Sequence, residues 1–178
     1  MDEHHTLNLP SPWVCRFTPL ICRGGAVLDV ACGGGRHARY LAGLGSRVEA
    51  TDRDSGALRE LADCAGVTTF AHDLEAAAWP YGGRQFDGIV VTNYLHRPLF
   101  SHLVAAVAPG GVLIYETFAR GNERYGRPRN PEFLLKPGEL LKVAHGHLEV
   151  IAYENLEVEM PRPAFIQRMC ATNGHAAA

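Results

Sequence analysis

Three carboxylates stand at points of the sequence where a nucleoside could be bound. Asp29 lies just before a glycine cluster, and Asp52 and Asp73 each follow a later apolar run. A carboxylate accepts strong hydrogen bonds from hydroxyl and amino groups, so Asp52 is expected to accept from both hydroxyls of a ribose. Asp73 is expected to accept from an adenine amino group, with Leu74 against the ring face. Together these residues predict a nucleoside site.

The run DVACGGGR, residues 29–36, is typical of a loop that approaches a ligand closely. Gly33 and Gly35 allow a tight turn, and the run GGGRHA also fits the G-x-G-x-x-A pattern of dinucleotide-binding proteins. Asp29 distinguishes between the two candidate ligands, NAD and SAM, because a carboxylate would repel the pyrophosphate of NAD. The same carboxylate would attract the ammonium and sulfonium groups of S-adenosylmethionine (SAM). The residues therefore favour SAM over NAD.

These side chains would have to be positioned by strands that alternate with helices. Apolar runs predict seven strands, at 26–31, 47–51, 67–71, 86–92, 111–118, 148–158 and 164–171. Helical periodicity and capping residues predict helices at 11–24, 36–45, 57–65, 97–108 and 137–145, with a type II turn at 109–111. Such alternation predicts a parallel sheet with helices on both faces, and ligands at the carboxyl ends of its strands.

Several of these runs resemble the motifs of class I SAM-dependent methyltransferases. VLDVACGGGRHARYLA is similar to motif I of that family, VEATDRD to the second motif and AHDLE to the third. FDGIVVTNYLH and VAPGGVLIYETF resemble the fourth and fifth strands, so that the resemblance covers about residues 25–118. The chain departs from the pattern at Ala31, where the family most often has glycine.

The resemblance implies a Rossmann-like α/β sandwich with a mostly parallel seven-stranded sheet and an antiparallel closing strand. It implies one SAM-binding domain over residues 1–178, with an N-terminal helical segment at 1–24 and a disordered tail at 172–178. Within the family, the compact size, the Gly-Glu-Leu run at 138–140 and the closing strand pair are most similar to small bacterial methyltransferases of the tellurite-resistance type.

The expected cofactor-binding residues follow the first four strands. They are Asp29, Ala31, Gly33, Gly35, Arg36, Asp52, Arg53, Asp73, Leu74 and Asn93.

The segment after the fourth strand is expected to pass the methyl group, by resemblance to the family. A general base is needed only if the attacking atom loses a proton. His96 is the first candidate because the pKa of histidine lies near neutrality, although it could equally cap the next helix. Tyr94, which could also simply pack, and Glu116 are the next candidates. Glu116 could instead bind a cationic acceptor or pair with Arg97 or Arg120.

Residues 119–137 form a long run without apolar periodicity, rich in arginine, glycine, asparagine and proline. A long irregular segment inside a domain is usually a functional loop, so we predict a lid that gathers an anionic acceptor. The expected substrate-binding residues are Arg97, Arg120, Arg124 and Tyr125. A solvated charged loop is the alternative.

Composition limits the other classes of function. The 178 residues carry a formal net charge of -2, with 47% hydrophobic and 20% charged residues, as in an ordinary soluble domain without an overall attraction to nucleic acid. The absence of a signal-like or membrane-spanning run and of C-x-x-C spacing predicts a cytoplasmic protein with reduced thiols. No metal site is predicted, since His4 and His5 lie in a terminus expected to be flexible and His145 and His147 lack nearby carboxylates. The expected activity is methyl transfer to a small molecule. RNA or protein methylation, SAM binding without catalysis and NAD-dependent oxidoreduction remain as alternatives, and the oligomeric state is left open.

Overall fold

Seven strands form one sheet in the computed structural model, which describes residues 9–174. Their bounds are β1 (Ala26–Val30), β2 (Arg47–Asp52), β3 (Val67–Ala71), β4 (Phe86–Thr92), β5 (Val107–Phe118), β6 (Glu149–Val158) and β7 (Ala164–Thr172). The spatial order is β3-β2-β1-β4-β5-β7-β6. Strands β1 to β5 pair in parallel, whereas β7 is antiparallel to both β5 and β6. This confirms the predicted seven-stranded Rossmann-like fold with an antiparallel closing strand.

Within residues 9–174, five short α-helices flank the sheet: α1 (Pro12–Phe17), α2 (Arg36–Gly43), α3 (Ser55–Arg59), α4 (Phe100–Ala105) and α5 (Glu139–Ala144). Four single 3-10 turns accompany them, at Thr18–Leu20, Arg97–Leu99, Asn122–Arg124 and Pro131–Phe133. The side chain of Ser11 accepts a hydrogen bond from the amide of Trp13 at the start of α1. Asp54 caps α3 in the same way, so both helix starts lie where the capping residues predict them.

All five helices are shorter than predicted, and α1, α3 and α4 differ most from their predicted lengths. Helix α1 passes into a 3-10 turn and does not reach residue 24. After α3 the backbone as far as Cys64 forms hydrogen bonds between residues three apart. This pattern is that of a 3-10 helix, which is wound more tightly than an α-helix. Helix α4 ends at Ala105, because β5 already begins at Val107.

The predicted turn at 109–111 lies inside β5 rather than before it. Phe86 pairs with Val107 but Gly88 pairs with Val112, so the turn bulges out of the strand between two paired stretches. Gly110 has a φ of 76°, as the third residue of a type II turn requires.

Each face of the sheet carries its own hydrophobic core, because successive side chains of a strand point to opposite faces. On one face Ile89 and Val91 of β4 pack with residues of α4 and α5. On the other face Val90 packs with residues of α1, α2 and α3 such as Trp13. With both faces covered, polar groups can gather only where strands end.

The loop at 119–137 is attached to the sheet at both of its ends. Arg120 donates its amide to the carbonyl of Leu135, and Leu135 donates its amide to Phe118. Leu134 and Leu135 are buried. The buried side chains of Leu134 and Leu135 therefore fix the end of the loop at 119–137, which the sequence predicts to be irregular throughout.

The predicted disordered tail begins too early. Thr172 belongs to β7, and Asn173 donates its side-chain amide to the carbonyl of Val107 at 2.8 Å. These bonds close the bulge of β5, which explains the order up to Gly174. The rest of the predicted tail and the first eight residues lie outside the described residues. Within residues 9–174, no helix has the length and apolar character needed to cross a bilayer.

Candidate cofactor and acceptor sites

A first cavity of about 250 Å³ opens at the carboxyl ends of the parallel strands. Its lining consists of Ala31, Asp52, Arg53, His72, Asp73, Leu74, Glu75, Asn93 and Tyr94. Six of these are among the residues predicted to bind the cofactor, and Tyr94 was predicted as catalytic. His72 and Glu75 escaped the prediction, although they flank Asp73 and Leu74 in the same strand end.

Asp52 is fixed in this cavity by two backbone amides. Its Oδ2 accepts from Gly33 at 2.8 Å and its Oδ1 from Asp54 at 2.9 Å. Each carboxylate oxygen can accept a further hydrogen bond, so the carboxylate is oriented and still able to accept from two hydroxyl groups. The bond to Gly33 also joins the end of β2 to the glycine loop after β1.

Two glycines of the loop after β1 have different roles, since one is needed for packing and the other leaves open space for a ligand. Gly35 has a φ of 75°, and a Cβ at this position would collide with Leu61. Gly33 also has a positive φ, of 53°, but no atom lies within 4 Å of the position that its Cβ would occupy. Gly35 is therefore needed for packing, whereas Gly33 gives an open surface on which a ligand can lie.

Two non-glycine residues of the lining have left-handed backbones. Ala31 has a φ of 53° and Asn93 a φ of 54°. Such conformations cost about 1–2 kcal/mol for most residues, less for asparagine, and they occur preferentially at functional sites. The left-handed backbone of Ala31 explains why class I SAM-dependent methyltransferases, which the sequence resembles, most often have glycine at this position.

Asp29 lies under the glycine loop with an exposed fraction of 1%. Burial raises the pKa of its carboxyl group to about 7, against the opposing effects of the Ala38 amide and the Arg36 charge. Neither carboxylate oxygen has a partner with full hydrogen-bond geometry in residues 9–174. A buried polar group without a partner is costly, and a cationic ligand group nearby would offset that cost. Asp29, Asp52 and the open face of Gly33 thus fit SAM.

A second cavity of about 250 Å³ lies beside the first, between the segment before α1, the ends of β4 and β5, and the β6–β7 hairpin. Asn93 lines both cavities. The charged residues of the second lining are Arg36, Glu116, Arg162 and Arg168. Arg36 was predicted to bind the cofactor, and it faces this second cavity.

Glu116 is held by bonds across the sheet. Its Oε2 accepts from Arg168 at 3.1 Å and its Oε1 from the hydroxyl of Ser11 at 2.7 Å. Arg168 also binds Glu154, because both acids are its direct partners in the strand register. The suggested pairing of Glu116 with Arg97 or Arg120 is therefore wrong, since β7 lies next to β5 and supplies the arginine.

His37 is a buried residue of the site that the sequence did not reveal. Its Nε2 accepts from the amide of Ser11 at 3.0 Å, and its Nδ1 lies 3.3 Å from the hydroxyl oxygen of Thr92. Burial lowers the pKa of His37 to about 3, so the ring is neutral. The ring thereby joins the segment before α1 to the end of β4. Its partner Ser11 is 26 residues away, a distance at which no local pattern signals the contact.

Tyr94 and His96 occupy different positions after β4. Tyr94 lines the first cavity, where burial and then the acids Glu75 and Asp73 raise its pKa, so it keeps its proton at neutral pH. His96 is half-buried and lies outside the linings of both cavities.

The four residues predicted to bind the acceptor also lie outside both linings. Arg97 donates to Glu139 at 2.6 Å and to the carbonyl of Leu134 at 3.0 Å, which holds the loop against α5. Arg124 pairs with Glu157 at 2.9 Å and lies over the ring of Tyr125. The fourth, Arg120, has an exposed side chain. A cluster of three or more histidine, cysteine or acidic side chains suited to a metal is absent from the described part of the chain.

Comparison with known proteins gives one family. Residues 27–111 match the model of a methyltransferase domain. The chain is 33% identical over 134 residues to a ubiquinone biosynthesis O-methyltransferase of Thiobacillus denitrificans, which covers 68% of this chain and 56% of that protein. It is 32% identical over 139 residues to a tRNA U34 carboxymethyltransferase of Methylococcus capsulatus, over 66% of this chain and 42% of that protein. The chain spans about half the length of the curated relatives it matches.

The fold has a counterpart among solved structures. TehB from Haemophilus influenzae superimposes with a TM-score of 0.78 at 20% identity, over 92% of this chain and 62% of that one. The comparisons confirm the predicted resemblance to SAM-dependent methyltransferases, including the tellurite-resistance type.

Proposed function

We propose that the chain is a class I SAM-dependent methyltransferase, and that it transfers the methyl group of SAM to a small-molecule acceptor that carries negative charge. The observation that carries this proposal is Asn93, which lines both cavities. A nucleoside-sized cavity and a second cavity share one wall at this residue. Such an arrangement would hold a methyl donor and an acceptor side by side.

The first cavity and the residues beside it offer a group for each part of SAM. Asp52 would accept from the ribose hydroxyls, and Asp73 would accept from the adenine amino group. Both oxygens of Asp52 and the Oδ1 of Asp73 already accept backbone amides, which hold the two carboxylates in place. Asp29 would attract the ammonium group, and Arg36 offers a cation for the carboxylate of the methionine part.

Bound SAM would supply a methyl group that its sulfonium already activates. The work left to the chain is to align the acceptor and exclude water, and proximity and orientation are worth up to about 7–11 kcal/mol in favourable cases. Of the three predicted catalytic residues, Glu116 alone lines the second cavity. We retain it as the proton acceptor for an attacking group that carries a proton. Arg168 and Ser11 would hold its carboxylate in position.

The charge of the acceptor is inferred from Arg162 of the second lining. The other two arginines are not available, since Arg168 is paired with Glu116 and Glu154 and Arg36 is assigned to the cofactor. Methylation of an RNA is the second candidate, since one relative is a tRNA-modifying enzyme by name. The cavity size and the net charge of -2 favour a small molecule.

Calorimetric titration with SAM, its demethylated product S-adenosylhomocysteine (SAH) and NAD tests the proposal. SAM and SAH should bind and NAD should not. Asp52→Ala should weaken SAH binding at least about tenfold, because a hydrogen bond to a charged group contributes about 1.5–3 kcal/mol. Asp63→Ala is the matched control, since Asp63 is exposed and outside both cavities. Binding of NAD without SAM, or an Asp52 variant that is folded and binds normally, would contradict the proposal.

A further inference from the structure

The second cavity has walls of mainly apolar side chains. Phe118 comes from the end of β5, Val158 from the end of β6 and Ile166 from β7. Met160 lies in the connection between β6 and β7, with an exposed fraction of 67%. An apolar side chain so exposed at the mouth of a cavity favours a ligand with an apolar body.

The volume of this cavity limits the size of that body. It measures about 250 Å³, whereas an apolar cavity of about 150 Å³ is large enough for benzene. The second cavity thus accommodates one aromatic ring system or a short branched chain with a small substituent. A nucleic acid or a carrier protein would have to remain outside it.

The charges of the lining are not all available to a ligand. Arg168 is held between Glu116 and Glu154, with distances of 3.1 and 2.6 Å between the paired atoms. Arg162 is different, because it is exposed and pairs with no carboxylate among residues 9–174. Its guanidinium lies 6.0 Å from the centre of the Phe118 ring. A cation therefore stands at the rim of an apolar wall, without an acid to neutralise it.

We propose that the acceptor is an amphipathic acid, with a ring-sized apolar body bound between Phe118, Met160 and Ile166 and an acidic group bound by Arg162. The atom to be methylated then points inward to Asn93, where the two cavities meet. This inference rests on the proposed methyl transfer and names its class of acceptor. Residues of the β6–β7 hairpin would therefore select the acceptor. The loop at 119–137 does not line the cavity that binds it.

An amine with the same apolar body is disfavoured by the same geometry. Its ammonium group would be repelled by Arg162 at the rim, or by the sulfonium of bound SAM if the ligand were reversed. Glu116 would not compensate, because Arg168 already neutralises it. The preferred order of ligands is therefore acid, neutral amide, amine.

The test uses three probes with one ring system, namely indole-3-acetate, indole-3-acetamide and tryptamine. Each is titrated into the SAH-bound protein by calorimetry or ligand-observed NMR. The acid should bind about 1.5- to fivefold more tightly than the amide, the range expected for one partly exposed ion pair. Tryptamine should bind most weakly.

Variants then assign the preference to its residue. Arg162→Gln should remove the advantage of the acid over the amide and leave SAH affinity unchanged. Met160→Gln should weaken all three probes alike, because it removes apolar contact. Arg23→Gln is the matched control, since Arg23 is exposed at the amino-terminal side of β1 and outside both cavities.

The outcomes separate this inference from the proposed function. If SAH binds but no probe binds, if tryptamine binds as tightly as the acid, or if Arg162→Gln keeps the preference for the acid, the amphipathic-acid acceptor is wrong and methyl transfer stands. If neither SAM nor SAH binds to the wild-type protein, the proposed function itself fails.

Discussion

Asp29 gives the sharpest prediction, because its burial links cofactor binding to pH. The folded-state pKa of its carboxyl group is about 7. At pH 6 roughly a tenth of the protein would then carry an ionised Asp29, and at pH 7 about half. If the ionised form is the one that binds the ammonium group of SAH, the affinity for SAH should rise about fivefold between pH 6 and pH 7. Above about pH 8 the rise should stop, because Asp29 is then almost fully ionised.

The perturbation is Asp29→Asn, which keeps the size of the side chain and removes its charge. This variant should bind SAH more weakly at pH 7 and should show no rise between pH 6 and pH 7. Calorimetry in two buffers with different ionisation enthalpies also detects the proton that wild-type protein releases on binding. The variant should release none.

Stability measurements keep a folding defect from being mistaken for a binding effect. The raised pKa of Asp29 means that the folded protein binds a proton more readily than the unfolded chain. Its contribution is therefore most favourable below pH 4 and declines as pH rises through 7. Asp29→Asn should thus unfold at a urea concentration no lower than wild type at pH 8. A wild-type affinity that stays constant from pH 6 to pH 7, or a variant that keeps the rise, would refute the role of Asp29.

Two further predictions concern stability. His37 has a folded-state pKa of about 3, well below the usual 6.5, so the unfolded chain gains the proton first and stability is lost as pH falls below 6.5. Urea unfolding at pH 7.5 and 5.5 should show about 1.4 kcal/mol more loss in wild type than in His37→Gln, and equal losses would contradict a buried neutral ring. Ala31→Gly should stabilise the protein by up to about 1 kcal/mol in urea unfolding, because it relieves a left-handed alanine. A destabilised glycine variant would mean that Ala31 is not strained.

Most of the lining of the first cavity could be predicted from the sequence because its residues are local to strand ends. Asp29 and Asp52 each adjoin one apolar run, and parallel strands bring their carboxyl ends to the same edge of a sheet. The bond from Gly33 to Asp52 follows from that arrangement without further information. Spacing along the chain and the geometry of a parallel sheet were sufficient.

The acceptor cavity could not be predicted in this way, because its walls come from distant segments. Ser11 reaches Glu116 across 105 residues, and Arg168 reaches it across 52. The register of an antiparallel pair sets the second contact, and a strand run by itself does not specify its register. The residues predicted to bind the acceptor show a different limit of the sequence. The prediction treated Arg97 and Arg124 as cations available to a ligand. In the fold, Arg97 pairs with Glu139 and Arg124 pairs with Glu157.

The junction between the two cavities explains why an asparagine follows β4. Asn93 must turn the chain with a φ of 54° at the end of a central strand, and its amide donates to the carbonyl of Glu116 at 2.9 Å. Asparagine adopts this backbone at lower cost than most residues. Unlike glycine, it also carries a side chain with both a donor and an acceptor. The same backbone bond ties the position of Asn93 to Glu116 in the acceptor cavity. A change of the Asn93 side chain should therefore affect both cavities, whereas a change at Asp73 should affect the first cavity alone.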